Sequence, residues 1–206
     1  MIIVANWKMN ATQAEAKDLL NKVKTDYLGS NEVVICPPFT LISQIYNDIQ
    51  GSRIKLGAQD CSDTKNGAFT GQISAEMLKD MECNYVIIGH SERRQYNNET
   101  NKLVKAKAEQ AIEAGLIPII CIGETLQERE SGKLEEVLSE QIKQSIIGLE
   151  GNYIVAYEPV WAIGTGKVPT SEEIADVHKY IYSLLDNKDG INILYGGSVN
   201  DSNCHE

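Results

Sequence analysis

Short runs of β-branched and other apolar residues alternate with longer stretches in which apolar positions recur every three or four residues. Continuous apolar runs predict strands buried on both faces, and the longer period predicts helices that pack by one side. The runs fall at residues 2–5, 33–36, 54–58, 85–89, 117–122, 153–157 and 191–195. Helices are predicted over residues 12–24, with Ala16, Leu19, Leu20 and Val23 on one face, and over 39–48, preceded by Pro37-Pro38. A short helix follows Ser74, and another covers 101–114 and stops at Gly115. Residues 134–147 are apolar at Leu134, Val137, Leu138 and Ile142. The last helix spans 171–185, where Ser171 is the expected N-cap and Glu172 and Glu173 occupy the positive first turn.

Strands of this kind alternating with helices make a parallel sheet covered by helices. Seven strands at this spacing suit a doubly wound sheet or a (β/α)8 barrel. No linker or composition shift divides the chain, so residues 1–206 are read as a single domain. Two loops stand out. Residues 59–73 are long and rich in Gly, Thr and Ser, and residues 156–167 carry Glu158 at a strand end, then Pro159, an apolar tip at 160–163 and Gly164-Thr165-Gly166. Proline holds the residue before it extended, and glycine at the far end can absorb a backbone change. A carboxylate base under a closing loop is one reading; a solvated glutamate on a surface loop is the other.

A net charge of −10, from 19 basic and 29 acidic residues, argues against a nucleic acid partner. No apolar run approaches the roughly 20 residues that span a bilayer. The first residues read as a core strand, which argues against a cleavable leader. The five cysteines are odd in number, form no C-x-x-C pair and sit in or near apolar runs, as expected of reduced thiols in a cytoplasmic protein. Cys204-His205-Glu206 is read as a frayed tail and not a metal site.

In parallel α/β proteins function collects at the carboxyl ends of strands. Four such ends are unusual here: Asn6-Trp7-Lys8, Gly89-His90-Ser91-Glu92-Arg93-Arg94, Glu158 with its loop, and Gly196-Gly197-Ser198. Lys8 taken alone reads as a solvated lysine, and His90 alone reads equally as a functional or a hydrogen-bonded structural histidine; their joint occurrence at strand ends points to a site. Competing motifs fail. Residues 89–93 lack the final glycine of a nucleophile elbow, and Gly164-Thr165-Gly166-Lys167 lacks both the first glycine and the Ser/Thr of a phosphate loop. No metal-ligand spacing occurs.

Asn6-Trp7-Lys8-Met9-Asn10, Gly67-Ala68-Phe69-Thr70-Gly71, Gly89 to Arg94, Cys121-Ile122-Gly123-Glu124, residues 156–167 and Tyr195-Gly196-Gly197-Ser198-Val199 resemble the triosephosphate isomerase family, in the family's order. The resemblance implies a (β/α)8 barrel, a homodimer, no cofactor, and interconversion of dihydroxyacetone phosphate and glyceraldehyde 3-phosphate. Its scheme of a glutamate base with a neutral histidine belongs to the family and comes with the resemblance. By position, Glu158 is similar to the base, His90 to the electrophile, and Lys8 with Asn6 to the groups that meet the oxyanion and phosphate. Glu92 matches a family carboxylate and is equally readable as half of a structural ion pair. Gly164 and Ser198 match phosphate-binding positions. The 59–73 loop looks like the dimer arm, with Thr70 reaching the partner; a self-packed Ω-loop is the alternative.

The pattern departs from the family at its end. Eight residues follow Ser198, too few for a helix and an eighth strand. The expectation is a C-terminally incomplete barrel with only seven strands, in which strands one and seven are edges. Truncation, natural shortening and closure by another chain would each produce this. The alternative to an isomerase is then a catalytically impaired fragment with residual phosphate-ligand binding or an assembly role.

Overall fold

The β-branched runs form strands and the amphipathic stretches form helices, in near alternation. The structure, a computed structural model, describes residues 1–26, 29–163, 168–186, 190–199 and 203. The first elements are β1 (Ile2–Asn6), α1 (Gln13–Asp26), β2 (Glu32–Cys36), a 3-10 turn at Phe39–Leu41 that runs into α2 (Ile42–Asp48), β3 (Lys55–Ala58) and α3 (Ala75–Asp80). Next come β4 (Tyr85–Ile88), α4 (Ser91–Tyr96), α5 (Asn101–Glu113), β5 (Ile117–Ile122), α6 (Leu126–Glu130) and α7 (Leu134–Ser145). The chain continues through β6 (Ile154–Tyr157), a 3-10 turn at Val160–Ala162, α8 (Ser171–Leu184) and β7 (Asn192–Tyr195).

Two compact units divide these elements: Met1–Ile88 with Gln110–Pro118, and Gly89–Glu109 with Ile119–Glu206. In the first, β1, β2, β3 and β4 lie parallel in chain order, Ile3 opposite Val33, Val34 opposite Lys55 and Gly57 opposite Tyr85. The Ile117 N–H donates to the Asn84 carbonyl at 2.9 Å, which carries the register into the start of β5. The core is Val34, Ile35, Leu56, Val86 and Ile88 with Ala16 and Leu20 of α1, Ile45 of α2 and Leu78 of α3. In the second unit β5, β6 and β7 are parallel, Ile119 opposite Ile154 and Ile154 opposite Asn192. Ile120, Ile122, Val155 and Tyr157 are buried there, as are Val104 and Ala108 of α5, Leu138 and Ile142 of α7, and Val177 and Ile181 of α8.

Several local expectations need correction. Leu19 is exposed; Ala16 and Leu20, four residues apart, make the buried stripe of α1. The stretch after Pro37-Pro38 opens with one 3-10 turn, closed by Leu41 N–H to Pro38 carbonyl, before the α-helix begins. Thr170, not Ser171, caps α8: its hydroxyl accepts the Glu173 N–H while the Glu173 carboxylate accepts the Thr170 N–H. The same reciprocal pair at Thr125 and Glu128 starts α6, a helix with no apolar periodicity to announce it. Among the described residues there are seven strands, as expected; β1 pairs only with β2 and β7 only with β6. No described helix is long and apolar enough to cross a membrane.

Candidate active site

At the end of β1 the chain turns sharply and is held there by side chains. Lys8 adopts a left-handed backbone, φ 51°, which a residue with a Cβ avoids unless its surroundings impose it. Its N–H donates to Asn6 Oδ1 at 2.9 Å. Gln59 Nε2 donates to the carbonyls of Lys8 and Cys36, each at 2.9 Å, so the turn is braced from β1, β2 and the residue after β3. Gln59 was not among the candidate residues, and as a single glutamine opening a polar loop it gave no signal.

In the second unit the end of β4 brings His90 to the N-cap of α4. His90 Nδ1 accepts the Glu92 N–H at 3.2 Å. An accepting nitrogen carries no proton, so the ring is the Nε2–H tautomer. That Nε2 lies 3.4 Å from Glu158 Oε1, and Glu158 Oε2 accepts the Ser91 N–H at 3.0 Å. Two consecutive amides of one helical turn therefore orient the imidazole and the carboxylate against each other. Glu158 is 5 % exposed and His90 7 %, which rules out the solvated-glutamate reading. Glu92 stands beside the ring, its Oε2 3.6 Å from Nδ1, with its side chain partly in solvent.

The position of Glu158 follows from its backbone. Its N–H donates to the Ile122 carbonyl at 2.7 Å, extending the β5–β6 ladder by one residue before Pro159 ends it. A Cβ at Gly123 would lie 1.7 Å from the Glu158 carbonyl oxygen, and one at Gly196 2.7 Å from Glu158 Cγ. Glycine at both positions lets the neighbouring strand ends close on the glutamate.

The loop after Glu158 does not present the apolar tip expected from the sequence. Ala162 is fully buried, and the Trp161 indole N–H donates to Glu124 Oε1 at 2.8 Å. The Val160 N–H donates to the Glu124 carbonyl at 3.0 Å, and the Tyr157 hydroxyl lies 3.1 Å from both Glu124 oxygens. Burial, then the adjacent Glu124 carboxylate, pushes the Tyr157 phenol well above its usual range. Arg129 completes the cluster at 3.2 Å from Glu124 Oε1, with its guanidinium 4.9 Å from the Trp161 ring centre. Glu124 is inaccessible to solvent and anchors the first half of the loop by accepting every one of these donors. The motif containing it was visible, but its partners are not adjacent in sequence.

The remaining candidates are placed as follows. Gly164 lies outside the described residues, as does Cys204-His205-Glu206. The Ser198 hydroxyl donates to the Ala162 carbonyl at 3.1 Å, linking the turn after β7 to the loop after β6. Thr70 is exposed beside the equally exposed Phe69. The loop that carries them is pinned at its base by Ser62 N–H to Ile73 carbonyl and by Ser62 Oγ to Gln72 Oε1 at 2.5 Å. Cys36, Cys61, Cys83 and Cys121 are buried. Burial pushes the Cys36 thiol far up and the Cys83 thiol up to about 12, so neither is a nucleophile.

Parallel β/α repeats with a desolvated acid–imidazole pair at the strand ends define an α/β enzyme equipped to move a proton. A family model for triosephosphate isomerase matches residues 1–206. Triosephosphate isomerase of Alkaliphilus oremlandii is 47 % identical over 100 % of this chain and 87 % of its own length. The enzyme of Mycoplasmopsis pulmonis is 49 % identical over 98 % of this chain and 85 % of its own. The crystal structure of triosephosphate isomerase from Bartonella henselae aligns with a TM-score of 0.87 at 41 % identity, covering 98 % of this chain and 84 % of that one. The chain belongs to the triosephosphate isomerase family. Its fold class is that of the family's α/β barrel, with seven strands among the described residues. Such identity over the full chain favours the isomerase over the impaired fragment.

Proposed function

We propose that Glu158, His90, Lys8 and Asn6 carry the isomerase reaction of this family in this chain. The reaction interconverts dihydroxyacetone phosphate and D-glyceraldehyde 3-phosphate, and the substrate is a triose phosphate. Glu158 removes a proton from the hydroxymethyl carbon beside the ketone. The C–H pair becomes the C=C bond of an enediolate, and the carbonyl π pair moves onto oxygen. Glu158 returns the proton to the neighbouring carbon while a second proton passes from one oxygen to the other, so the atoms balance without a cofactor. His90 donates its Nε2–H to the oxygen on which charge develops. Glu92 supports it through the backbone N–H on Nδ1. Lys8 and Asn6 meet the oxyanion and the phosphate, a role taken from their match to the family motif and supported by the imposed backbone of Lys8.

The observation that carries this reading is the 3.4 Å approach of a buried carboxylate to an imidazole N–H. Gly164 and Ser198 are assigned to the phosphate through their backbone amides. The chain is read as one domain that works as a homodimer in the cytoplasm. The exposed Phe69 and Thr70 at the loop tip support the dimer, and the buried cysteines support a reducing compartment.

Glu158→Asp tests the assignment. The carboxylate retreats by one methylene from the carbon acid, and misplacement on the order of 1 Å costs about 10²-fold in turnover. KM is expected to change little. Steady-state rates in both directions check this, and unchanged turnover would remove Glu158 from its role.

A further inference from the structure

Arg94 has no part in the account above, yet it is tied to both strand ends that shape the site. From α4 its Nε donates to the Gly89 carbonyl at 2.8 Å, Nη2 to the Cys121 carbonyl at 3.1 Å and Nη1 to Asn101 Oδ1 at 2.6 Å. One guanidinium thus ties the residue before His90 to β5 and to the first residue of α5.

All three acceptors are uncharged. Among the described residues no carboxylate lies within ion-pair distance of Arg94, whereas its neighbour Arg93 pairs with Glu99 at 2.7 Å. A neutral amide could cap a carbonyl, so main-chain bonding alone does not call for a full charge withdrawn from water, where it is costly. The charge has another object. Arg94 lines a cavity of about 460 Å³ together with Ser91, Gln95, Glu128, Val160 and Glu158 itself. Burial pushes the guanidinium down, and Cys121, Glu158 and Glu99 push it back up. Arginine starts so high that it stays charged.

We propose that Arg94 is a positioning residue for the isomerisation: it braces the strand end that carries His90 and holds a fixed positive charge in the cavity wall it shares with Glu158, attracting the carboxylate and keeping it aimed. The inference rests on Glu158 being the base. The groups around Glu158 in this unit are the His90 ring, the Ser91 amide, and the Arg94, Cys121 and Glu128 side chains of the cavity wall, with Glu99 behind Arg94. Arg94 is the cation of that wall, so its loss removes an attraction that acts on the Glu158 carboxylate.

The test compares Arg94→Gln, Arg94→Lys and Asn101→Asp with the parent, measuring kcat and kcat/KM from pH 5 to 9 and thermal stability. Asn101→Asp sets a carboxylate against the guanidinium and neutralises its field while leaving Arg94 in place, so the test does not depend on Arg94→Gln folding. Arg94→Gln and Asn101→Asp are expected to move the acid limb of kcat/KM upward by about half to one pH unit. Arg94→Lys is expected to keep the limb while lowering kcat. The substrate phosphate titrates identically throughout, so differences between variants report the enzyme. If all three variants are merely less stable and their acid limbs coincide with the parent's, Arg94 is a strand brace and the inference is overturned. An Asn101→Asp limb that stays put overturns it too, even if Arg94→Gln cannot be prepared. Failure of the base assignment is read separately, from Glu158→Asp.

Discussion

Glu158 Oε1 and His90 Nε2 stand 3.4 Å apart, both buried and both oriented by amides of the same helical turn. The relationship is reciprocal: the ring N–H faces the carboxylate because the opposite ring nitrogen is occupied by the Glu92 amide. Each group satisfies the other in this arrangement; in the reaction proposed above, one would serve the carbon acid and the other the oxygen.

His90→Gln keeps an acceptor for the Glu92 amide and an N–H donor but not their fixed opposition across a ring. Turnover is expected to fall by about 10²-fold with a smaller change in KM. Steady-state kinetics with each triose phosphate checks this, and a kcat within threefold of the parent would sink the electrophile role.

Gly123→Ala puts a methyl where the Glu158 carbonyl already sits, since the added Cβ would lie 1.7 Å from that oxygen. Neither partner is a flexible side-chain tip, so the strand ends must part. A stability loss of about 1–3 kcal/mol is expected, with turnover reduced beyond what stability explains. Urea unfolding alongside kcat decides it; a variant matching the parent in both would contradict the close approach.

Glu124→Leu removes at once the acceptor that serves the Trp161 indole N–H, the Tyr157 hydroxyl and Arg129 Nη1. A buried donor that loses its acceptor costs about 1–3 kcal/mol, and with Trp161 and Arg129 partly exposed a total near 3 kcal/mol is expected. In a Trp7→Phe background, Trp161 emission should shift to the red as the loop comes off its anchor. Unaltered emission would mean that the loop is held by something else.

His178 of α8 meets the Tyr157 ring edge-on at 6.2 Å, and its buried Nε2 has no hydrogen-bond partner among the described residues. Burial lowers its pKa below the usual histidine value. Between the folded value and the unfolded one, near 6.5, the unfolded chain binds more protons, so stability falls as pH drops through about 6.5 and levels off below the folded value. The ring is only half-buried, so the loss should be a few tenths of a kcal/mol, well under the ceiling of about 1.4 kcal/mol per pH unit. Unfolding free energies at pH 7.5, 6.5 and 5.5 for the parent and His178→Gln test this, and the variant should lack that part of the slope. Equal slopes would assign the pH dependence elsewhere.

The alternation of strands and helices was legible because periodicity is a short-range property: burial at Ala16 and Leu20, or along residues 117–122, follows from spacing within a single element. The strand-end motifs at Asn6-Trp7-Lys8, His90 and Glu158 were legible for a related reason, since a parallel α/β chain delivers every strand end to the same edge. Local chemistry left finer choices open. Thr170 and Ser171 are both good caps, and only the Glu173 carboxylate, three residues on, selects the former.

The amino-acid order alone therefore settled the alternation of strands with the longer helices, the α/β class, the family motifs and which side chains were candidates for chemistry. Folding settled who touches whom. Gln59 braces Lys8 across 51 positions, the Ser91 amide holds Glu158 across 67, and Trp161 finds Glu124 across 37. Such pairings depend on the register of parallel strands separated by helices, and no property of a short segment encodes that register. Burial of the glutamate, the proton on Nε2 and the anchored loop arise only once those strands are paired.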